Sequence, residues 1–172
     1  ALYVSNEYNP SFANTEGYAY GNSFGVVYDN VKTLSLFGEL KADFSKNVTL
    51  WINGTYNNYL TDTRAEAWNL PQLKIGSTVD FKIKKKWYAG ANVFFVGERK
   101  DLTTKQELIF PVPSFVQETV TLDSYFDLNA HVGYKYNARL TAFLKGNNLA
   151  NQQYNRWANF PVQGIQVLLG AN

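Results

Sequence analysis

Along most of the chain, apolar side chains return at every second position and almost nowhere at the 3.6-residue spacing of a helix. Leu34, Leu36, Gly38, Leu40, Ala42 and Phe44 alternate with Ser35, Phe37, Glu39, Lys41 and Asp43. The next run repeats the pattern, with Val48, Leu50, Ile52, Gly54 and Tyr56 against Thr49, Trp51, Asn53, Thr55 and Asn57. Only Ser45, Lys46 and Asn47 join the two, which predicts a tight hairpin. A third run sets Leu73, Ile75, Ser77, Val79, Phe81 and Ile83 against Lys74, Gly76, Thr78, Asp80 and Lys82. The fourth has Ala89, Ala91, Val93 and Phe95, and the fifth Phe126, Leu128, Ala130, Val132 and Tyr134. A sixth has Leu140, Ala142 and Leu144, and a seventh Ile165, Val167, Leu169 and Ala171. These runs predict an all-β, antiparallel up-and-down sheet of about seven strands.

The expected connections alternate as regularly as the side chains. Short turns near 45–47, 84–86 and 137–139 take turns with long polar or aromatic-bearing loops near 61–71, 100–123 and 150–164. A transmembrane β-barrel has this asymmetry, with short periplasmic turns, long extracellular loops, an apolar lipid face and a polar interior. Phe44, Trp87, Tyr134 and Tyr136 fall near the short-turn ends, where an interfacial girdle lies, and Lys46, Lys84, Lys85, Lys86 and Arg139 add charge there. The expected lipid face carries Leu36, Leu40, Leu50, Ile52, Val79, Phe81, Ala91, Val93, Leu128, Val132, Ala142, Leu144, Val167 and Leu169. The expected lumen wall carries Glu39, Lys41, Asp43, Lys74, Asp80, Lys82, Asp127, His131, Lys135 and Lys145. A soluble sandwich or lipocalin-like barrel also alternates, but so many ionisable groups cannot be its dry core. Such a protein would have to bury the apolar side instead, leaving girdle and loop asymmetry as coincidences.

Composition removes several other classes. The chain of 172 residues has no Cys, one His and a net charge of +2, with aromatics at 16% and charged residues at 17%. Its cations are scattered except at KIKKKW, which leaves no electrostatic footprint for nucleic acid. No run approaches the 18 apolar residues of a membrane helix. The lack of an initial Met suggests a mature or truncated chain, and no signal segment opens it. Outer-membrane barrels include proteases and acyltransferases, whose sites need a nucleophile or activated water beside a base. His131 is the sole imidazole, on the polar side near Asp127, with Gly133 as its next same-face neighbour, so a wall histidine is expected and no catalytic residue. One His and no Cys leave only oxygen ligands, and calcium-loop spacing is missing, so neither metal nor cofactor is expected. Two Asn-X-Thr triplets, at Asn47 and Asn53, fall on a turn and a strand and are discounted.

Seven strands joined by hairpins cannot close an antiparallel barrel, because the first and last would run parallel, and bacterial single-chain barrels have even counts. Further strands in Ala1 to Ser5 or Tyr18 to Phe24 would be short, so residues 1–25 are expected to be mostly extracellular loop. Residues 26–172 would then be the C-terminal strands of a larger barrel.

The run LKGNNLANQQYNRW, followed by FPVQGIQVLLGAN, resembles the closing segment of TonB-dependent outer-membrane receptors of the Bacteroidota type. In that family the penultimate strand ends in an Asn-Leu pair, here Asn148 and Leu149, with a Tyr soon after, here Tyr154. GVVYDNVKTLSLFGEL, AEAWNLPQLKIG and ANVFFVGERKDL are similar to the family's late strands. The family ends at an aromatic residue, whereas this sequence ends at Asn172. The resemblance implies a 22-stranded barrel in the bacterial outer membrane around an N-terminal plug, taking up a siderophore, vitamin or glycan. Energy would come from the TonB, ExbB and ExbD complex pulling on the plug. The implied partners are outer-membrane lipid and lipopolysaccharide, that complex and, in a variant role as subunit of a larger envelope assembly, a surface lipoprotein. Ligand or partner recognition would fall to the loops, with Trp68, Phe110, Phe115, Arg156, Trp157 and Phe160 able to stack on a ring or dock a protein lid. The plainer reading is that these side chains pack the loops together. The alternative from another class is a small self-contained barrel with a structural or adhesive role.

Overall fold

The computed structural model of the chain describes residues 2–5, 24–109 and 112–172, and these contain no α-helix. A seven-stranded sheet is formed by β3 (Val31–Ser45), β4 (Val48–Thr61), β5 (Leu73–Ile83), β6 (Trp87–Val96), β9 (Tyr125–Lys135), β10 (Thr141–Asn147) and β13 (Gln166–Ala171). Every adjacent pair is antiparallel and follows chain order. Three smaller ribbons flank it: β1 (Leu2–Ser5) with β2 (Phe24–Val27), β7 (Arg99–Ile109) with β8 (Val112–Leu122), and β11 (Asn155–Trp157) with β12 (Phe160–Pro161).

Register keeps each face uniform across all seven strands, as the period-two pattern demands. On one side Leu40 opposes Ile52, Leu50 opposes Val79, Val79 opposes Ala91, Ala91 opposes Ala130, Val132 opposes Leu144, and Leu144 opposes Leu169. On the other a row runs Asp43, Thr49, Asp80, Gly90, His131, Lys145 and Leu168. The Thr49 hydroxyl donates to Asp43 at 2.7 Å along that row. The polar face thus holds every ionisable residue that the sequence placed on the lumen wall.

Nothing among the described residues covers the apolar face. Leu36 is 62% exposed, Leu40 61%, Val167 68% and Leu169 77%. The buried apolar residues lie instead at the long-loop end, where Val27 and Trp68 pack with Val31 and Leu102. A soluble sandwich would need a second layer on the apolar side, whereas a bilayer covers such a face directly. Among the described residues β3 and β13 each pair on one edge only, so both outer edges offer unpaired backbone groups to further strands.

The turns behave as their residues dictate. Asn137 accepts the amides of Arg139 and Leu140 through Oδ1 at 2.8 and 2.9 Å, an Asx turn that returns the chain from β9 to β10. Ser45 accepts the Asn47 amide at 3.1 Å in the β3–β4 hairpin, where the register shifts by a bulge between Asp43 and Ser45. One expectation changes: the segment near 100–123 is a long β-ribbon rather than a loop. Residues 2–5 pair with 24–27 as short strands that overlap the two ends of the stretch expected to be mostly loop. The remainder of that stretch, residues 1 and 6–23, lies outside the described residues. Both ribbons meet the main sheet at its long-loop end, where Val27 of β2 and Leu102 of β7 pack with Val31 and Trp68, and the buried side of β7 carries Arg99, Asp101 and Thr103, so no apolar alternation marks it.

Glycine has a specific task where Gly133 opposes Tyr88, because the tyrosine ring lies where a Gly133 Cβ would stand. Covering a strand glycine with a cross-strand aromatic restores lost packing. Gly133→Ala should displace the Tyr88 ring and lower stability by roughly 1–2 kcal/mol. Urea unfolding in lipid vesicles checks this, and the loss should shrink in a Tyr88→Ala background.

Candidate functional site

The long connections converge over one end of the polar face and lock together through buried polar groups. Arg99, 5% exposed at the start of β7, is the centre. Its Nε donates to Asn69 Oδ1 at 2.9 Å, and its Nη2 donates to the carbonyls of Asn155 and, at 3.2 Å, Arg156. Asn69 reciprocates by donating Nδ2 to the Arg156 carbonyl at 3.0 Å. Two residues on, Asp101 is fully buried and accepts the amides of Leu102 at 2.9 Å and Ala158 at 2.7 Å. These bonds tie the 62–72 connection, the β7–β8 ribbon and the 148–165 connection into one unit. Burial lowers the Arg99 pKa, while Tyr125, Asp101 and Tyr154 oppose that shift. The guanidinium stays charged, as it does in proteins generally.

Aromatic stacking extends the lock to the sheet. Tyr125 and Tyr154 stack at 3.7 Å with an interplanar angle of 6°, and the Arg99 guanidinium lies 5.2 Å from the Tyr125 centroid. Tyr154 donates its hydroxyl to Asp127 at 2.8 Å. Burial, then this bond and the neighbouring carboxylate charge, push the Tyr154 pKa up to about 12, so it remains a donor at neutral pH. Asn148, at φ 48°, turns the chain out of β10. Its Nδ2 donates to the carbonyls of Gln152 and Gln163 at 3.1 and 3.0 Å, and its Oδ1 accepts the Gln152 amide at 3.0 Å. Leu149 sends its side chain back over Gly146. Each residue of the Asn148, Leu149 and Tyr154 pattern therefore has a local structural task.

Between the locked connections lies a cavity of about 320 Å³ lined by Trp68, Lys74, Arg99, Tyr125, Arg156 and Trp157, among others. It brings together three loop residues singled out by sequence, Trp68, Arg156 and Trp157, with Lys74 of the expected lumen wall. Trp68, 4% exposed, also belongs to the apolar cluster, whereas Arg156 is exposed and Trp157 half-buried. Phe160 opposes Trp157 across the β11–β12 ribbon. Phe110 lies outside the described residues, and Phe115 is described only by its place in β8, opposite Gln106. Sequence reasoning missed Arg99, Asp101 and Tyr125. The GERKDL charge cluster was the one signal available for the first two. His131 sits deeper on the polar face, 5.9 Å from the Tyr88 ring.

The outer rim of the site rests on Asp29. Its carboxylate accepts the amides of Thr63, Arg64 and Asn30 at 3.1, 2.9 and 2.9 Å, and the Thr63 hydroxyl at 2.8 Å. Desolvation raises its pKa, but these hydrogen bonds outweigh that and lower it from 3.8 to about 2. Its hold on the 62–64 turn should therefore be complete above the ordinary carboxyl range and lost as pH falls through about 2. Asp29→Asn should speed amide exchange at Thr63 and Arg64 at neutral pH. Unchanged exchange would deny the carboxylate this role.

No protein-family model matches the sequence, and no curated protein matches it. Solved structures do. The ferripyoverdine receptor of the outer membrane of Pseudomonas aeruginosa, bound to ferripyoverdine, matches 98% of this chain with a TM-score of 0.64 at 14% identity. The ferric-catecholate import receptor Fiu from E. coli K12 matches 98% with a TM-score of 0.63 at 15% identity. The FpvAI–pyocin S2 complex matches 97% with a TM-score of 0.64 at 14% identity. The chain spans only 22–23% of the length of these structures. At such identity the likeness establishes the fold: an antiparallel up-and-down sheet of seven strands that matches about a quarter of an outer-membrane receptor barrel.

Proposed function

We propose that these residues form a wall sector and outer loops of a TonB-dependent outer-membrane receptor that imports a nutrient. The observation that carries this reading is the seven-strand sheet with one apolar face uncovered, one polar face and two open edges. A barrel completes the edges, lipid covers the first face, and a water-filled lumen with a plug covers the second. The exposed Phe37, Trp51 and Leu168 on the polar side are suited to plug contact. Coupling to the TonB, ExbB and ExbD complex would run through that plug.

The cavity at the long-loop end is the sector's contribution to ligand recognition. Its lining has two tryptophans, a tyrosine and three cations, with no carboxylate among the residues lining it. That chemistry suits an anionic, ring-bearing chelate better than a neutral vitamin or glycan. The matched receptors are named for ferripyoverdine and ferric-catecholate, ligands of that chemical kind. The test is uptake of labelled ferric siderophores, corrinoid and oligosaccharide by cells making the full-length protein, with and without a protonophore. One ferric chelate should accumulate, should stop accumulating with protonophore, and should be lost in Arg156→Ala/Trp157→Ala at unchanged outer-membrane abundance. Accumulation indifferent to both treatments would contradict the proposal.

A further inference from the structure

The opposite end of the sheet carries a feature that nutrient import does not use. The β5–β6 turn and the β9–β10 turn are neighbours because β6 pairs with β9, and the Lys135 amide donates to the Lys86 carbonyl at 2.8 Å. On the apolar side of this junction the Trp87 and Tyr134 rings lie 4.7 Å apart. The Lys86 ammonium sits 5.7 Å from the Tyr134 centroid and 5.8 Å from that of Tyr136, and donates to the Tyr136 carbonyl at 3.3 Å. An exposed charge is thus held beside the Tyr134 and Tyr136 rings. Lys84, Lys85 and Arg139 are exposed beside it. No carboxylate occurs in residues 81–90 or 132–140, so the sequence around both turns leaves these cations without local compensation.

We propose that this junction binds the phosphate of an anionic glycerophospholipid in the periplasm-facing leaflet. The inference rests on the bilayer reading above, with short turns toward the periplasm. Tryptophan and tyrosine rings sit at headgroup depth, which puts the Lys86 ammonium level with lipid phosphates. Lysine and arginine near an anionic lipid surface each strengthen association several-fold. Trp87 and Tyr134 offer the acyl and glycerol region an apolar wall, while Lys86, Lys84, Lys85 and Arg139 supply the charge. Lipopolysaccharide also carries phosphate, but it belongs to the leaflet at the long-loop end.

Native mass spectrometry of the full-length protein in nonionic detergent, titrated with phosphatidylglycerol, phosphatidylcholine or lipopolysaccharide, tests this. Phosphatidylglycerol should bind about ten-fold or more tightly than phosphatidylcholine. K86Q/R139Q should lose that preference, K86R should keep it, and K100Q, at the far end, should leave it unchanged. Heat-modifiable gel mobility confirms that each variant is folded. Equal binding of the two phospholipids, a preference retained in K86Q/R139Q, or stronger binding of lipopolysaccharide would overturn the lipid site while leaving the barrel intact. A protein that stays soluble without detergent and binds none of the three would overturn the bilayer reading itself.

Discussion

Ala91→Arg will destabilise the protein by about 2–4 kcal/mol in a bilayer, while Thr78→Arg will change stability by no more than about 0.5 kcal/mol. Both residues are near strand centres and both are half-buried. They differ in face. Ala91 stands between Val79 and Ala130 in the apolar row, whereas Thr78 stands between Trp51 and Asn92 on the polar side. In the proposed barrel, arginine at Ala91 would have to place its guanidinium in hydrocarbon near the midplane, where no water solvates it, and at Thr78 it would meet the polar lumen. Reversible unfolding of the full-length protein in lipid vesicles reads both values. Equal losses from the two substitutions would show that the faces do not see different solvents.

The second large effect is expected at Asp101. Asp101→Ala removes the acceptor for the Leu102 and Ala158 amides and a carboxylate whose charge supports Arg99. Breaking a buried charged network by deleting one member costs about 3–5 kcal/mol, because the groups left behind remain desolvated. The loss should appear as local opening. Amide exchange at Asn69 and Ala158 should accelerate, while β5 and β6 retain their protection. Asp101→Asn keeps an acceptor oxygen and should open the lock less. If exchange at Ala158 is unchanged in the alanine variant, the connections are held together by something other than this carboxylate.

The two predictions mark the boundary of what the sequence makes legible. Strand faces could be read directly because a period of two has only two phases, and a buried or lipid-covered face fixes which one is used. All seven runs keep their expected sides. Turns were legible where asparagine supplies the turn's own acceptor, as at Asn137. The β7–β8 ribbon was not, since the inner side of its base is built largely from polar residues, Arg99, Asp101 and Thr103 facing Leu122, Val120 and Glu118, so no apolar period marks it. Arg99 and Asp101 look like solvated charges in GERKDL and become buried only because Asn69, Asn155, Arg156 and Ala158 arrive from distant connections. Trp68, Arg156 and Trp157 could be named from residue type, but their meeting in one cavity depends on that lock.

Amide exchange along the outer edges of β3 and β13, in the full-length protein reconstituted in lipid vesicles, is the decisive measurement. If these strands belong to a closed barrel, the amides of β3 that point away from β4, and those of β13 that point away from β10, will be as protected as amides within β5 and β6. Rapid exchange on both edges, with slow exchange only inside the seven-strand sheet, would contradict the barrel and leave an open sheet whose apolar face needs another explanation.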